Sequence, residues 1–128
     1  MSITSPNGTP MSTFTFGTMQ FGDRADAAAS QAMFDASRAA GITHFDTAYL
    51  YAGGASETLL GEFATPDRDN LIIATKVGYA GGAGHDNMVA QFDVSRQRLQ
   101  MDMVDILYLP RFDPDPALRE TLGTLAVS

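Results

Sequence analysis

The sequence contains no cysteine. That absence excludes a disulfide scaffold, a thiolate metal site and a catalytic thiol. Basic side chains are scarce too: 8 Lys and Arg stand against 15 Asp and Glu, for a formal net charge of −7. Nucleic acids and anionic membranes call for clustered Lys and Arg, so neither is an expected partner. Long apolar runs are missing; Val104 to Pro110 is among the longest, far short of the ~20 residues that span a bilayer. The opening MSITSPNGTP has neither a basic segment nor an apolar core, so no secretory signal is visible. Lysine itself is nearly absent, Lys76 being the only one among the basic residues. What remains is a chain of 128 residues, 45% hydrophobic and 18% charged. It is too apolar for disorder and long enough for one domain, 1–128, with a sizeable core. A cytoplasmic location is the expectation.

Strand-like and helix-like stretches alternate along the chain. Asn7-Gly8 is a strong hairpin signal and predicts a short N-terminal hairpin. Phe14 to Thr18 reads as a strand and its exit. The alanine-rich run from Asp23 to Ala40 reads as a helix stopped by Gly41. Ile42 to Asp46 is a second strand, after which Ser56-Glu57 opens a short helix, with Ser56 as its cap and Glu57 in its first turn. Asn70 to Thr75 is a third strand ending at Lys76. The glycine-rich stretch Gly78 to Gly84 leads to a helix from about Asp86 to Gln100, with Met88, Phe92 and Leu99 near one face. Val104 to Leu109 is a fourth strand, and Asp115-Pro116 opens a last helix, Ala117 to Ala126.

Four strand–helix units with continuously apolar strands predict an α/β fold with a parallel sheet covered by helices. Neither the dinucleotide fingerprint G-x-G-x-x-G nor a G-x-x-x-x-G-K-[ST] phosphate loop is present. A full (β/α)8 barrel takes roughly 250 residues, so four units would make half of one.

Ligands in such folds gather beyond the carboxyl ends of the strands. There the pattern places Asp46, Tyr51 in the loop after it, and Lys76. A lysine beside a tyrosine favours the phenolate and makes the hydroxyl a usable general acid; an aspartate keeps the lysine charged and aimed. The same three residues also fit a structural ion pair with an aromatic at its rim. His44 and His85 lie too far apart in sequence to suggest a metal site, and none is expected. His44 reads as a packed or hydrogen-bonded strand residue, and the Gly78 to Gly84 loop as a flexible connection.

The stretch Gly41-Ile42-Thr43-His44-Phe45-Asp46-Thr47-Ala48-Tyr49-Leu50-Tyr51 resembles the G-x-x-x-x-D-T-A-x-x-Y segment of the aldo-keto reductase superfamily. Gly53-Gly54-Ala55-Ser56-Glu57-Thr58-Leu59-Leu60-Gly61 is similar to its G-x-S-E-x-x-L-G run. Ile72 to Gly78 resembles its third-strand lysine motif, Phe16 to Met19 its first-strand exit, and Val104 to Leu109 its fourth strand. The resemblance implies a (β/α)8 barrel that reduces small aldehydes and ketones with NADPH. It assigns Asp46, Tyr51 and Lys76 to the family's catalytic aspartate, tyrosine and lysine, and Gly17 and Thr18 to the cofactor side.

Two departures qualify it. Where the family has a histidine after the fourth strand, this sequence has Pro110, which carries no side-chain donor; Arg111 is the neighbouring alternative. Losing one such donor costs about 100- to 1,000-fold in rate. The chain also stops after the fourth unit, whereas the family draws most NADP(H) contacts from later strands. The resulting expectation is a weak or inactive reductase as an isolated chain. The alternative is a non-catalytic half-barrel module, or a truncated product, that self-associates or needs a complementing half.

Overall fold

A computed structural model describes residues 3–78, 85–109 and 126–127. Its elements are β1 (Thr15–Gly17), α1 (Ala27–Ala39), β2 (His44–Asp46), α2 (Ala55–Ala64), β3 (Ile72–Lys76), α3 (His85–Leu99), β4 (Ile106–Leu109) and β5 (Ala126–Val127). The strands form one parallel sheet in chain order, β1-β2-β3-β4-β5, as expected for successive βα units.

Register sorts the side chains into two faces, because alternate strand residues point the same way. On one face Thr15 lies beside His44 and His44 beside Ile72, forming a first row. Gly17, Asp46, Ala74 and Ile106 form the next, and Lys76 and Tyr108 pair beyond it. The other face carries Phe16, Phe45, Ile73 and Leu107 into the main core, which they share with Phe21, Phe34, Leu60, Met88, Phe92 and Leu99 from the helices and loops. Aromatic rings dominate this core. Phe34 packs on Phe45 at 4.7 Å between centroids, and Phe21 meets Phe63 edge-on at 5.8 Å. Each fully buried ring of this size contributes about 1.5–3 kcal/mol.

Helix boundaries follow from local chemistry. α1 starts later than the alanine pattern suggests, because Asp26 caps it: its carboxylate accepts the Ala29 N–H at 2.8 Å. α2 and α3 approach closely at Gly61, where a Cβ would stand 2.6 Å from the Leu99 backbone. Met88, Phe92 and Leu99 all point inward from α3, as their spacing predicts.

The N-terminal hairpin is minimal. One antiparallel bridge joins Thr4 and Pro10 around Asn7-Gly8, with Gly8 at φ +90°. The segment then crosses the start of the sheet, where Ser12 and Thr43 exchange hydrogen bonds of 2.8 and 3.0 Å. Met11 covers Ile72, Ala74 and Ile106.

One expectation is corrected. The helix read over Ala117 to Ala126 lies mostly outside the described residues, but Ala126 itself is strand. Ala126–Val127 pairs with Tyr108 and Leu109. The unpaired backbone along β4 recruits this short segment, outweighing an alanine-leucine pattern that read as helical.

Candidate active site

Asp46 ends β2 and Lys76 ends β3, on the same face of the sheet. The Lys76 ammonium donates to the Tyr51 hydroxyl oxygen at 2.8 Å and to Asp46 Oδ2 at 3.3 Å. It also lies 4.8 Å from the centre of the Tyr51 ring. The three residues singled out in the sequence are therefore one contact group, partly open to solvent. Burial by itself would push the Lys76 ammonium down, but the Tyr51 hydrogen bond and the Asp46 charge outweigh it, so its pKa is raised above 10.5. Lys76 stays charged.

The loop that delivers Tyr51 is tightly held. Tyr49 N–H donates to the Lys76 carbonyl at 2.9 Å and Tyr51 N–H to the Ala48 carbonyl at 3.1 Å. Ala52, Gly53 and Gly54 then run through φ of +53°, +64° and +106°, turning the chain sharply into α2. A cavity of about 190 Å³ opens over the group, lined by Tyr49, Leu50, Tyr51, Lys76 and Val77 among others, and its surface is mostly apolar.

Gly17 and Thr18 part company. Gly17 is exposed next to Asp46 in register, and a Cβ built there would meet nothing within 4 Å. The Thr18 side chain is fully buried and committed elsewhere: its hydroxyl lies 3.1 Å from the Asp46 carbonyl and 2.8 Å from Ser56 Oγ.

Ser56 is not the helix cap. Gly54 occupies that position, and Ser56 Oγ is instead a buried junction, 2.7 Å from Thr47 Oγ1 and 2.8 Å from the Thr18 carbonyl. It joins the exits of β1 and β2 to α2, so packing has turned a capping residue inward. Glu57 does sit in the first turn, yet it is 0% exposed. Its Oε1 accepts from Arg98 Nη1 at 3.0 Å and its Oε2 from Thr75 Oγ1 at 2.6 Å. No sequence signal marks Arg98, which lies on another helix and reads as an ordinary surface arginine.

His44 is buried in the sheet, with Nδ1 2.8 Å from Thr15 Oγ1, as a packed strand histidine. Among the described residues no cluster of three or more potential metal ligands occurs. None of the described helices is long and apolar enough to cross a membrane. Pro110, Arg111 and the glycine-rich loop from Tyr79 to Gly84 lie outside the described residues.

The model of the aldo/keto reductase family matches residues 13–127. The chain is 30% identical to a probable voltage-gated potassium channel subunit beta of Arabidopsis thaliana, over 93% of this chain and 39% of that protein. It is 38% identical to human aflatoxin B1 aldehyde reductase member 2, over 83% of this chain and 31% of that one. With the L-glyceraldehyde 3-phosphate reductase of Escherichia coli (strain K12) it shares 38% identity, over 67% of this chain and 29% of that one. The solved holo form of an aldo-keto reductase from Bacillus halodurans superposes on all of this chain with a TM-score of 0.77 at 25% identity, using 50% of its own length. The chain thus spans well under half the length of these curated relatives and corresponds to part of a TIM-barrel fold. It belongs to the aldo/keto reductase family.

Proposed function

We propose that Asp46, Tyr51 and Lys76 are the acid–base group for NADPH-dependent reduction of an aldehyde or ketone to an alcohol. The observation that supports this reading is the 2.8 Å contact from the Lys76 ammonium to the Tyr51 oxygen. An ammonium has no lone pair to accept with, so the phenol keeps its own proton available for a ligand. A carbonyl oxygen in the cavity takes that proton from Tyr51 as negative charge develops on it. Lys76 stabilises the phenolate left behind, and Asp46 keeps Lys76 charged and aimed.

Bound NADPH would supply the hydride that, with the proton from Tyr51, balances reduction of the carbonyl to the alcohol. The residues present suit its reacting end. The cavity of about 190 Å³ is smaller than the ~300–1,000 Å³ of a whole ligand site, and the open space over Gly17 adjoins Asp46. Among the described residues Lys76 is the only basic side chain lining that cavity, so the cavity itself suits the nicotinamide end and not the cofactor's phosphates.

A second reading is a non-catalytic module that pairs with a copy of itself or a complementing half. It is favoured by β1 forming an outer edge of the described sheet and by Phe14 beside it, 75% exposed. Titration of the purified chain with NADPH, following cofactor fluorescence, separates the two. Saturable micromolar binding that Lys76→Met abolishes supports the reductase reading. Failure to bind at millimolar cofactor overturns it for this chain and favours the module.

A further inference from the structure

We propose that Arg98, together with Glu57, is a positioning residue that keeps Tyr51 and Lys76 in contact, acting through the backbone beside each of them. The inference deepens the reductase reading and rests on it for its functional meaning. Arg98 reaches from α3 to the loop carrying Tyr51. Its Nη1 donates to the Tyr49 carbonyl at 2.8 Å, and its guanidinium lies over the Tyr49 ring at 4.5 Å. The same Nη1 donates to Glu57 Oε1 at 3.0 Å, and Glu57 Oε2 accepts the Thr75 hydroxyl at 2.6 Å.

Thr75 immediately precedes Lys76 on β3, and Tyr49 lies two residues before Tyr51. The Tyr49 N–H is itself bonded to the Lys76 carbonyl. The contacts therefore close a circuit: Lys76 to Thr75, Glu57, Arg98, Tyr49, Tyr51 and back to Lys76. Among the described residues neither Arg98 nor Glu57 hydrogen-bonds the Tyr51 hydroxyl or the Lys76 ammonium. Their influence on that pair passes through the main chain.

Three features suit the network to holding geometry. Glu57 is 0% exposed, and a dry carboxylate tolerates little displacement from the donors that compensate its burial. A buried ion pair is a weak stabiliser compared with apolar packing, but its directional bonds constrain position. The loop also makes room for the guanidinium at Gly54, where a Cβ would stand 2.5 Å from Arg98 Cζ.

Because Lys76 is the only lysine, the titration of its side chain can be followed by NMR of the Cε group in the full chain without assignment ambiguity. It is faced by Asp46 from β2, by Tyr51 from the loop, and by Tyr108 in register on β4. Tyr51→Phe sets the full drop in midpoint on losing the phenol contact. Arg98→Met is expected to lower the Lys76 midpoint by at least half of that drop. The sign discriminates, because merely deleting a nearby cation would raise the midpoint. A folded Arg98→Met chain whose midpoint is unchanged or raised overturns the proposal.

Should Arg98→Met fail to melt cooperatively, the Glu57→Gln/Arg98→Met double variant leaves no buried charge unpaired; its midpoint is compared with that of Glu57→Gln alone, against which a fall supports the proposal and an unchanged or raised value overturns it. Arg98→Lys, which keeps a charge for Glu57 but loses the planar fork and ring stacking, is expected to give a smaller drop than Arg98→Met. Equal drops in these two variants overturn the role assigned to the guanidinium. The lysine titration needs no cofactor, so a chain that binds no NADPH would sink the reductase reading while still deciding this one. Conversely, saturable NADPH binding with an unmoved lysine midpoint in the Arg98 variants would sink this one alone.

Discussion

Lys76 donates to Tyr51, not the reverse: 2.8 Å separates Nζ from the phenol oxygen, and Asp46 Oδ2 accepts a second hydrogen bond from the ammonium at 3.3 Å. The direction of that bond decides which group can give up a proton. The ammonium is tethered on two sides and has no lone pair, so the hydroxyl proton is not claimed by Lys76.

The same contact has a signature in alkali. A raised lysine pKa stabilises the fold fully below 10.5, the ordinary value, and that contribution is lost as pH climbs through the folded-state value. We expect the melting temperature to fall above that pH and Lys76→Met to lack this part of the fall. With the side chains 25% and 28% exposed, solvent screening limits the effect to less than about 1 kcal/mol. Calorimetry of both proteins across the alkaline range checks it.

His44 gives the opposite dependence on the acid side. Burial lowers its pKa below 6.5, against the opposing charges of Asp46 and Asp105. The folded state then holds fewer protons than the unfolded one just below that pH, so stability is complete above 6.5 and declines as pH falls. Melting curves of the parent and His44→Gln chains between neutrality and about pH 5, above the range where ordinary carboxylates titrate, should converge in slope only if another group is responsible.

Glu57 and Arg98 should respond unequally to substitution. Glu57 is 0% exposed and the Arg98 side chain 23%, so removing the arginine strands a dry carboxylate. Arg98→Ala is expected to destabilise by about 3–5 kcal/mol, and Glu57→Gln by clearly less, because water can reach the arginine left behind. Urea unfolding of both variants would contradict this if the order were reversed.

Two glycines offer a contrast within one fold. Gly61→Ala puts a Cβ 2.6 Å from the Leu99 backbone, and should cost about 1–3 kcal/mol by forcing the helices apart. Gly17→Ala meets nothing within 4 Å, so its melting temperature should stay near the parent's. Under the reductase reading it should nonetheless weaken NADPH binding, which the fluorescence titration reads directly.

The alternation of parallel strands with helices, the helix faces and the convergence of Asp46, Tyr51 and Lys76 were legible because each is written locally, in apolar runs, spacing and the ends of strands. Ser56 and Thr18 were not. A serine before a glutamate signals a cap, and only the packed arrangement shows its hydroxyl turned inward between two loops. Arg98 left no trace either, since its contacts with Glu57 and Tyr49 cross 41 and 49 positions of sequence. The terminal strand was hidden for a related reason: two residues carry too little pattern, and pairing with β4 decides their conformation.

β2 is only three residues long, and its middle residue, Phe45, is locked among aromatic rings while Asp46 faces the cavity side. A slip of one position would drive the carboxylate into that oily cluster and leave the ring in the acid's place. The cost of such a slip falls on both faces at once, so no halfway alignment is tolerable. The greasy residue thereby acts as the proofreader of the acidic one, and drift in the hydrophobic core would surface first as misplaced chemistry.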